Sequence, residues 1–475
     1  MLGSSSCSQH HQQQNQELHS QSDLFQPPPP PPTLTGQLSL PLPLLLPLHL
    51  HHHQIPPSIH LRQLLLTCAH SISQTDFTTA HGITTILLAN SSPSGDSSER
   101  LIHSFTKALA LRLRLHLHPT PPLSINNNFN NESWKQPLAE IQDKDAQVRP
   151  NMAQYPLDHA EASCTGFSCQ NNDEILQSSY FSLNQITPFI RFSHLTANQA
   201  ILEAIQQQFS QDIHILDFDI MHGFQWPPLM QAIADRHPPL TLRITATGTN
   251  LNHLRRTGDR LSKFAHSLNL TFQFFPLLLP HNHHHHTVDD VIRHLSAVVH
   301  LPNETLAVNC IHYLHRMLTN RDKLCLLLKK IKSMNPKVVT LAENESNHNH
   351  PVFISRFKES LHYYTAVFDS LEATLPPNSR ERMEVEQVWF GREIADIVAA
   401  EGEDRRVRHE RYLSWEMIMR LAGFRNVGLS SFNVTQAKLL LRLHYPCEGY
   451  NLEVVNDCFF LGWQNQPLFS VSSWH

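Results

Sequence analysis

Residues Ile213 to Asp219 read IHILDFD, and the residues that follow, Ile220 to Arg236, read IMHGFQWPPLMQAIADR. The first stretch is a short apolar run that ends in acids, which is typical of a buried strand, and a turn and a helix follow it. Four further strand-like runs come later, each separated from the next by enough residues for a helix: Leu240–Ala246, Leu268–Phe275, Thr305–Cys310 and Lys337–Ala342. Strands that alternate with helices predict an α/β protein with a doubly wound, mostly parallel sheet.

The C-terminal part of the sequence adds strands of another kind. A strand is predicted over Val427–Phe432, and the runs Tyr450–Val455 and Cys458–Trp463 have so short a link that they form a hairpin. The sheet is therefore expected to have an antiparallel edge. This is the Rossmann-like layout of class I methyltransferases, an analogy at the level of the fold that does not by itself indicate a function.

A nucleotide cofactor would need a glycine-rich loop after the first strand and an acid at the end of the second strand. The loop has one glycine, Gly223, and the bulky residues Met221, Phe224 and Trp226. The second strand ends in Ile244–Gly248, which contains no acid. We therefore expect no cofactor and no enzyme activity, and an S-adenosylmethionine-dependent methyltransferase is kept as an alternative.

Four residues around the first strand have side chains of the kind that bind zinc or non-haem iron: His214, Asp217, Asp219 and His222. In a strand, Asp217 and Asp219 point to one face and His214 to the other, so the four surround one ion only if the strand kinks. We expect instead that the two acids fix the turn after the strand and that Gly223 permits its backbone path. The run from His281 to His286 is interpreted as a low-complexity loop, and no metal site is expected.

Composition limits the classes of protein that fit the sequence. The 475 residues include 36 Lys and Arg against 41 Asp and Glu, so the formal net charge of −5 does not indicate a polycation that binds nucleic acid through its overall charge. The eight cysteines are scattered without a C-x2-C pair, which favours reduced thiols in an intracellular protein.

The apolar run Leu38–Leu50 is short and interrupted by prolines, so no membrane span is predicted. Residues 1–57 are rich in Gln, His and Pro and are predicted to form a disordered arm.

Several motifs, in their order along the chain, resemble the plant GRAS family of transcriptional regulators. The sequence IHILD at Ile213–Asp217 stands where that family has VHIID, and LRITATG at Leu242–Gly248 is similar to its LRIT-x-x-G. Leucine-rich regions flank these motifs, and residues 336–393 resemble the PFYRE region. The SAW region of the family, with serine in place of its usual alanine, is represented by residues near the C-terminus: Arg408–Arg411, Trp415, Trp463 and Ser472–Trp474.

The resemblance covers about residues 58–475 and implies a helical cap on the Rossmann-like core, a nuclear location, and action through protein–protein contacts without turnover. It divides the chain into six regions, in order: a first leucine-rich helical region (58–118), a linker or insertion (119–185), the start of the α/β core (186–288), a second leucine-rich region (289–330), a PFYRE-like region (331–400) and a SAW-like region (401–475). Phe218–Arg236 is similar to the Lateral suppressor subgroup, which implies a role in shoot branching through axillary meristem formation.

The same resemblance implies partners. These are other transcriptional regulators, in homo- or heterodimers with related proteins, and DNA is contacted indirectly or weakly. Two leucine stripes have the spacing with which a helix fills a partner's groove: Leu61, Leu64 and Leu65 in the first, and Leu314 and Leu318 in the second. Leucines at this spacing also form cores, so most of each stripe is expected to pack inside the cap, with some surface left for a partner.

A sequence-specific DNA-binding transcription factor is a further alternative. Its basis is a basic cluster near the C-terminal third of the chain: Arg405, Arg406, Arg408 and Arg411. Acids between and beside these arginines indicate a solvated, salt-bridged helix face, and Arg408 and Glu410 are expected to form a surface or cap ion pair.

The tryptophans are assigned two kinds of role. The segment Gln225–Pro227 is expected to present Trp226 as a partly exposed aromatic at the carboxyl edge of the sheet, where a partner or small ligand would dock. Trp415, Trp463 and Trp474 are expected to anchor the core.

Overall fold

The computed structural model describes residues 57–117, 168–206, 212–235, 240–279 and 287–475, all within one compact unit, Gln54–His475. The predicted disordered arm except for its last residue, most of the predicted linker at 119–185, and the run His281–His286 lie outside the described residues. None of the helices in the described ranges is long and apolar enough to cross a membrane. Five cysteines are free thiols: Cys68, Cys310, Cys325, Cys447 and Cys458.

A central sheet organises the described residues. Five strands run parallel: β1 (Asp212–Asp217), β2 (Thr241–Gly248), β3 (Thr271–Leu278), β4 (Glu304–Ile311) and β5 (Val338–Asn344). Four later strands pair antiparallel: β6 (Asn426–Val427), β7 (Tyr450–Val455), β8 (Cys458–Trp463) and β9 (Gln466–Trp474). The strand order is β3-β2-β1-β4-β5-β9-β8-β7, with β6 on β9. This confirms the predicted fold class, a doubly wound, mostly parallel sheet with an antiparallel edge.

Helices pack on both faces of the sheet and above its carboxyl edge, where the predicted helical cap lies. Their bounds are α1 (Pro57–Ser73), α2 (Phe77–Ala89), α3 (Ser97–Leu117), α4 (Ser168–Ile186), α5 (Pro188–Gln206), α6 (Trp226–Ala234), α7 (Leu251–Ser267), α8 (Val288–Leu295), α9 (Arg321–Ser333), α10 (Phe353–Thr374), α11 (Arg380–Glu384), α12 (Gly391–Ala399), α13 (Tyr412–Leu421) and α14 (Ser431–His444). Shorter turns are 3-10 at Leu314–Met317 and Gly402–Asp404 and π-helical at Val385–Phe390.

Two strand predictions were wrong at their ends. The third strand begins at Thr271 and not at Leu268, because the N–H of Leu268 donates to the carbonyl of Ala265 (3.0 Å) and so closes α7. The strand predicted over Val427–Phe432 is two residues long. It stops where the Ser430 hydroxyl accepts from the N–H of Asn433 (3.1 Å) and caps α14.

The first leucine stripe lies mostly in the core. Leu61 and Leu65 are buried in a cluster with residues of α3, α10 and α12, and Leu64 packs against that cluster while partly exposed. Of the second stripe, Leu314 and Leu318 are also buried, in and just after a 3-10 turn where an α-helix was expected. These four buried leucines therefore belong to the core, as leucines at this spacing often do, and they offer no face to a partner.

A buried ion pair joins the N-terminal helices to the π-helical turn. Arg100 of α3 and Glu386 are both almost fully buried, and the guanidinium donates to the carboxylate from Nε to Oε2 (2.7 Å) and from Nη2 to Oε1 (3.1 Å). Two parallel hydrogen bonds of this kind fix the orientation of both groups. Because the two residues are 286 positions apart, the pair ties the start of the described chain to the PFYRE-like region.

We expect Glu386→Ala to lower the free energy of unfolding by about 2 kcal/mol, because it removes two charge-assisted hydrogen bonds from a buried guanidinium, which keeps Glu372 (2.8 Å) and the carbonyl of Gly95 (2.6 Å). Glu416→Ala is the control. It removes the acid of the pair between Glu416 and the exposed Arg420 on α13, and about 1 kcal/mol or less should be lost. Urea unfolding at one pH measures both, and equal losses would contradict the prediction.

Candidate functional site

The strands β1, β4 and β5 end at one edge of the sheet, beneath α4, α5, α12 and the π-helical turn. The described residues enclose a cavity of about 50 Å³ at this edge. Its walls are formed by strand ends, the loop after β1 and the covering helices, and include Tyr180, Asp217, Asn309, Arg316, Glu393 and His409. In doubly wound folds this edge is where ligands bind.

Asp217, the last residue of β1, is the centre of a buried hydrogen-bond network. Its Oδ2 accepts from the indole N–H of Trp226 (2.9 Å), and its Oδ1 accepts from the amide of Asn309 on β4 (2.8 Å). The Gln225 amide donates to Asn309 (3.0 Å) and to Asn198 of α5 (3.1 Å). The network thus joins two strands, the start of α6 and one cap helix. Burial raises the pKa of Asp217 to about 7, although the hydrogen bonds from Asn309 and Trp226 lower it.

The loop after β1 folds in a conformation that bulky residues rarely adopt. Asp219, Met221 and Gly223 have φ angles of 64°, 49° and 70°. A Cβ on Gly223 would lie 2.9 Å from Cγ2 of Thr257, so this position needs glycine for both backbone and space. The Asp219 carboxylate pairs with Arg316 (2.5 Å), which follows β4. The acid at this edge is therefore already held by a cation of the protein.

The four residues considered for a metal at the first strand do not come together. The ring of His214 lies between Thr245 (2.9 Å) and the guanidinium of Arg243 (3.1 Å), both on β2. His222 contacts the carbonyl of Gln177 in α4 (3.0 Å). With Asp217 bound to Trp226 and Asn309, and Asp219 bound to Arg316, each has a separate partner.

The prediction that Trp226 is partly exposed was wrong. Its side chain is fully buried, since the first turn of α6 directs the indole beneath the sheet edge to Asp217. Trp415, Trp463 and Trp474 are also buried, as expected of core anchors.

The prediction of a surface ion pair between Arg408 and Glu410 was wrong as well. Both are largely buried and neither contacts the other: the Arg408 guanidinium donates to Asn349 (3.0 Å), and Glu410 accepts from Arg321 (2.6 Å). The segment is not a helix face, because residues 405–411 have no helical turn. Of the same basic cluster, Arg405 is buried against the carbonyl of His348 (2.7 Å), and Arg411 pairs with Glu359 (2.6 Å). At least Arg405 and Arg408 are therefore unavailable to DNA.

The structure also assembles a cluster that sequence reasoning missed. His315, Glu343 and His409 are buried, and one ligand atom of each lies within 4.8 Å of the others. His348 is fully buried beside them, its ring centroid 5.4 Å from that of His409. Burial lowers the pKa of His348 to about 3 and holds the pKa of both other histidines well below the usual range, so the rings are neutral. The one sequence feature that could have indicated this cluster is Glu343, an acid at the end of an apolar strand.

The cavity is small for a nucleotide. Pockets that hold ligands of that size enclose roughly 300 to 1,000 Å³, whereas this cavity of about 50 Å³ has room for a few water molecules. The second strand ends at Thr247 and Gly248 with no carboxylate for a ribose. Hydrogen-bonded side chains of the protein therefore occupy the edge at which doubly wound folds bind a cofactor.

We expect the stability of the protein to fall as the pH rises through 7, with Asp217 as one cause. An acid whose folded-state pKa is raised from 3.8 to about 7 keeps its proton longer when folded, so its contribution is largest below pH 4 and lost above 7. Asp217→Asn costs hydrogen bonds at every pH, so the variant should be less stable than the wild type at pH 4. Because only the wild type loses stability when Asp217 ionises, the difference between their free energies of unfolding should narrow by up to about 4 kcal/mol between pH 4 and 8. Urea unfolding across this range measures the gap, and a constant gap would contradict the assignment.

Comparison with known proteins gives the family. The model of the GRAS domain family matches residues 61–475. The chain is 47% identical to Scarecrow-like protein 18 of Arabidopsis thaliana over 421 residues, covering 87% of this chain and 91% of that protein. It is 39% identical over 435 residues to Protein MONOCULM 1 of Oryza sativa subsp. japonica, covering 87% and 88%.

A solved structure agrees with these relatives. The crystal structure of SCL7 from Oryza sativa superposes with a TM-score of 0.66 at 31% sequence identity, covering 87% of this chain and 99% of that one. The family match over most of the chain, the relatives and this shared fold lead to one conclusion: the chain is a member of the GRAS domain family.

Proposed function

We propose that this protein regulates transcription in the nucleus by binding other transcriptional regulators, including related GRAS proteins, and not by catalysis. The proposal also includes its setting, shoot development and the initiation of axillary meristems. That setting is supported by the resemblance of Phe218–Arg236 to the Lateral suppressor subgroup.

The observation that carries the binding role is an exposed apolar face on α13. Leu413, Met417 and Leu421 are 67%, 55% and 63% exposed, and their spacing of four residues places them on one side of the helix. The other side of α13 is packed in the core through Trp415 and Met419. On α9, which packs against α13, Leu326 is also 55% exposed. A rigid helix with a row of large exposed apolar side chains suits contact with an amphipathic helix of another protein.

The occupied carboxyl edge supports the absence of catalysis. The first acid of the edge is bound to Trp226 and Asn309, and the second to Arg316. Neither is free to hold a ribose or to move a proton to a substrate. A fold that keeps the methyltransferase-like sheet and fills its ligand edge with side chains acts here as a scaffold.

The binding role predicts a loss of regulation when the α13 face is made polar. The full chain, fused to a DNA-binding domain of known specificity, should change transcription of a matching reporter in plant cells. Leu413→Asp with Met417→Asp should reduce that change at least tenfold and reduce co-precipitation of two differently tagged copies, because charge on this face prevents apolar contact. The wild-type fusion and the double variant should both enter the nucleus.

The matched control is Ile86→Asp on α2, which is 50% exposed and lies outside the α13 face. It should leave both readouts unchanged, and circular dichroism should show that all variants fold. If the double variant regulates the reporter as well as the wild type does, the α13 face is not the binding surface. If the wild-type fusion does not change transcription, the proposed function is wrong.

The enzyme alternative has its own measurement. Calorimetric titration of the folded full chain with S-adenosylmethionine should give no heat of binding up to millimolar ligand, because the edge lacks both the space and the acid that the nucleoside needs. A dissociation constant in the micromolar range would make methyl transfer the leading function.

A further inference from the structure

We propose that His315, Glu343, His348 and His409 bind one zinc ion. Imidazole nitrogens and a carboxylate oxygen are preferred zinc ligands, and three histidines with one acid complete a tetrahedral site. The proposal concerns a metal site, and it does not depend on the role in transcription.

The carboxylate of Glu343 holds the centre of the cluster. Its Oε2 lies 2.7 Å from Nδ1 of His315 and 3.5 Å from Nδ1 of His409. A tetrahedral zinc with bonds of about 2.0 to 2.2 Å places its ligand atoms roughly 3.4 Å apart. These separations therefore match one ion after small shifts, mainly a separation of the His315 and His409 rings, whose centroids are 4.0 Å apart.

The fourth ligand is His348, which lies beside the group of three whose ligand atoms are within 4.8 Å of one another and must turn toward the ion to join it. Two imidazoles on one zinc have centroids about 5 Å apart by the same bond lengths, and the His348 and His409 centroids are 5.4 Å apart. Among the described residues, neither ring nitrogen of His348 has a hydrogen-bond partner, and the ring of His409 has only the long contact of its Nδ1 with Oε2 of Glu343 (3.5 Å). Buried ring nitrogens without good partners are costly, and a metal ion would satisfy one nitrogen on each of these two rings.

The backbone around the cluster is fixed before any ion binds. The guanidinium of Arg405 donates to the carbonyl of His348 (2.7 Å), and the N–H of Asn349 donates to the carbonyl of His409 (3.1 Å). The N–H of His315 donates to Oε1 of Glu343 (3.1 Å). Hydrogen bonds of this kind hold ligand residues in place, so little ordering remains for the ion to impose. His315 and His409 also line the cavity, which gives the ion a route to the site.

The test begins with metal content. The full chain, produced with zinc present and then dialysed against a weak chelator, should keep one equivalent of zinc by mass spectrometry of the metal. Imidazoles in the run from His281 to His286 could retain zinc nonspecifically, so a second chain has these five histidines changed to Gln as a control. It should keep the same equivalent.

Two variants separate the site from general effects. His348→Gln with His409→Gln should lose at least nine-tenths of the bound zinc. His214→Gln is the matched control, since it removes another fully buried histidine with its own partners on β2, and it should keep the ion. A strong chelator should lower the melting temperature of the wild type, and added zinc should restore it.

The outcomes are decisive even if the double variant fails to fold. A folded wild type that holds less than a tenth of an equivalent, or whose melting temperature responds neither to chelator nor to zinc, overturns the proposal. Retention of zinc by a folded double variant overturns it too, because the ion must then lie elsewhere. Loss of zinc in the double variant, with retention in the control, supports it.

Discussion

The carboxylate of Asp217 is the constraint on which the carboxyl edge depends. A buried carboxylate is costly unless it is hydrogen-bonded, and here the indole of Trp226 and the amide of Asn309 satisfy it. Those two donors also fix the start of α6 and the end of β4. An interaction that is needed to offset the burial of one charge thereby sets the spacing of the sheet edge and of the helices that cover it.

This arrangement leaves little room for a ligand at the sheet edge where doubly wound folds usually bind one. The edge is filled by paired polar side chains, among them Asp219 with Arg316. The exposed apolar surface lies instead on α13, whose inner face is anchored by Trp415 in the core. The filled edge and the exposed face of α13 are the two observations on which the proposed binding role rests.

The sequence predicts the parallel strands well because they are buried on both faces. Every residue of β4 and β5 is buried, and the middle of each strand is mostly apolar, as is typical of strands buried on both faces. It does not predict the ends of β3, whose residues are half exposed, or the partners of charged residues. Arg408 and Glu410 suggested a surface pair because charges usually face water, whereas their partners Asn349 and Arg321 are 59 and 89 positions away. The cluster around Glu343 was missed for the same reason, since three distant turns bring its histidines together.

The position of β9 has a consequence for synthesis of the chain. β9 lies between β5 and β8, and Ser472 pairs with Leu341, which the ribosome makes 131 residues earlier. At about 5 to 20 residues per second, β5 waits roughly 7 to 26 seconds for the strand that covers its edge. An open strand edge is a template for pairing with other chains. The nascent protein must therefore keep that edge covered, by chaperones or by its own cap helices, until β9 leaves the ribosome.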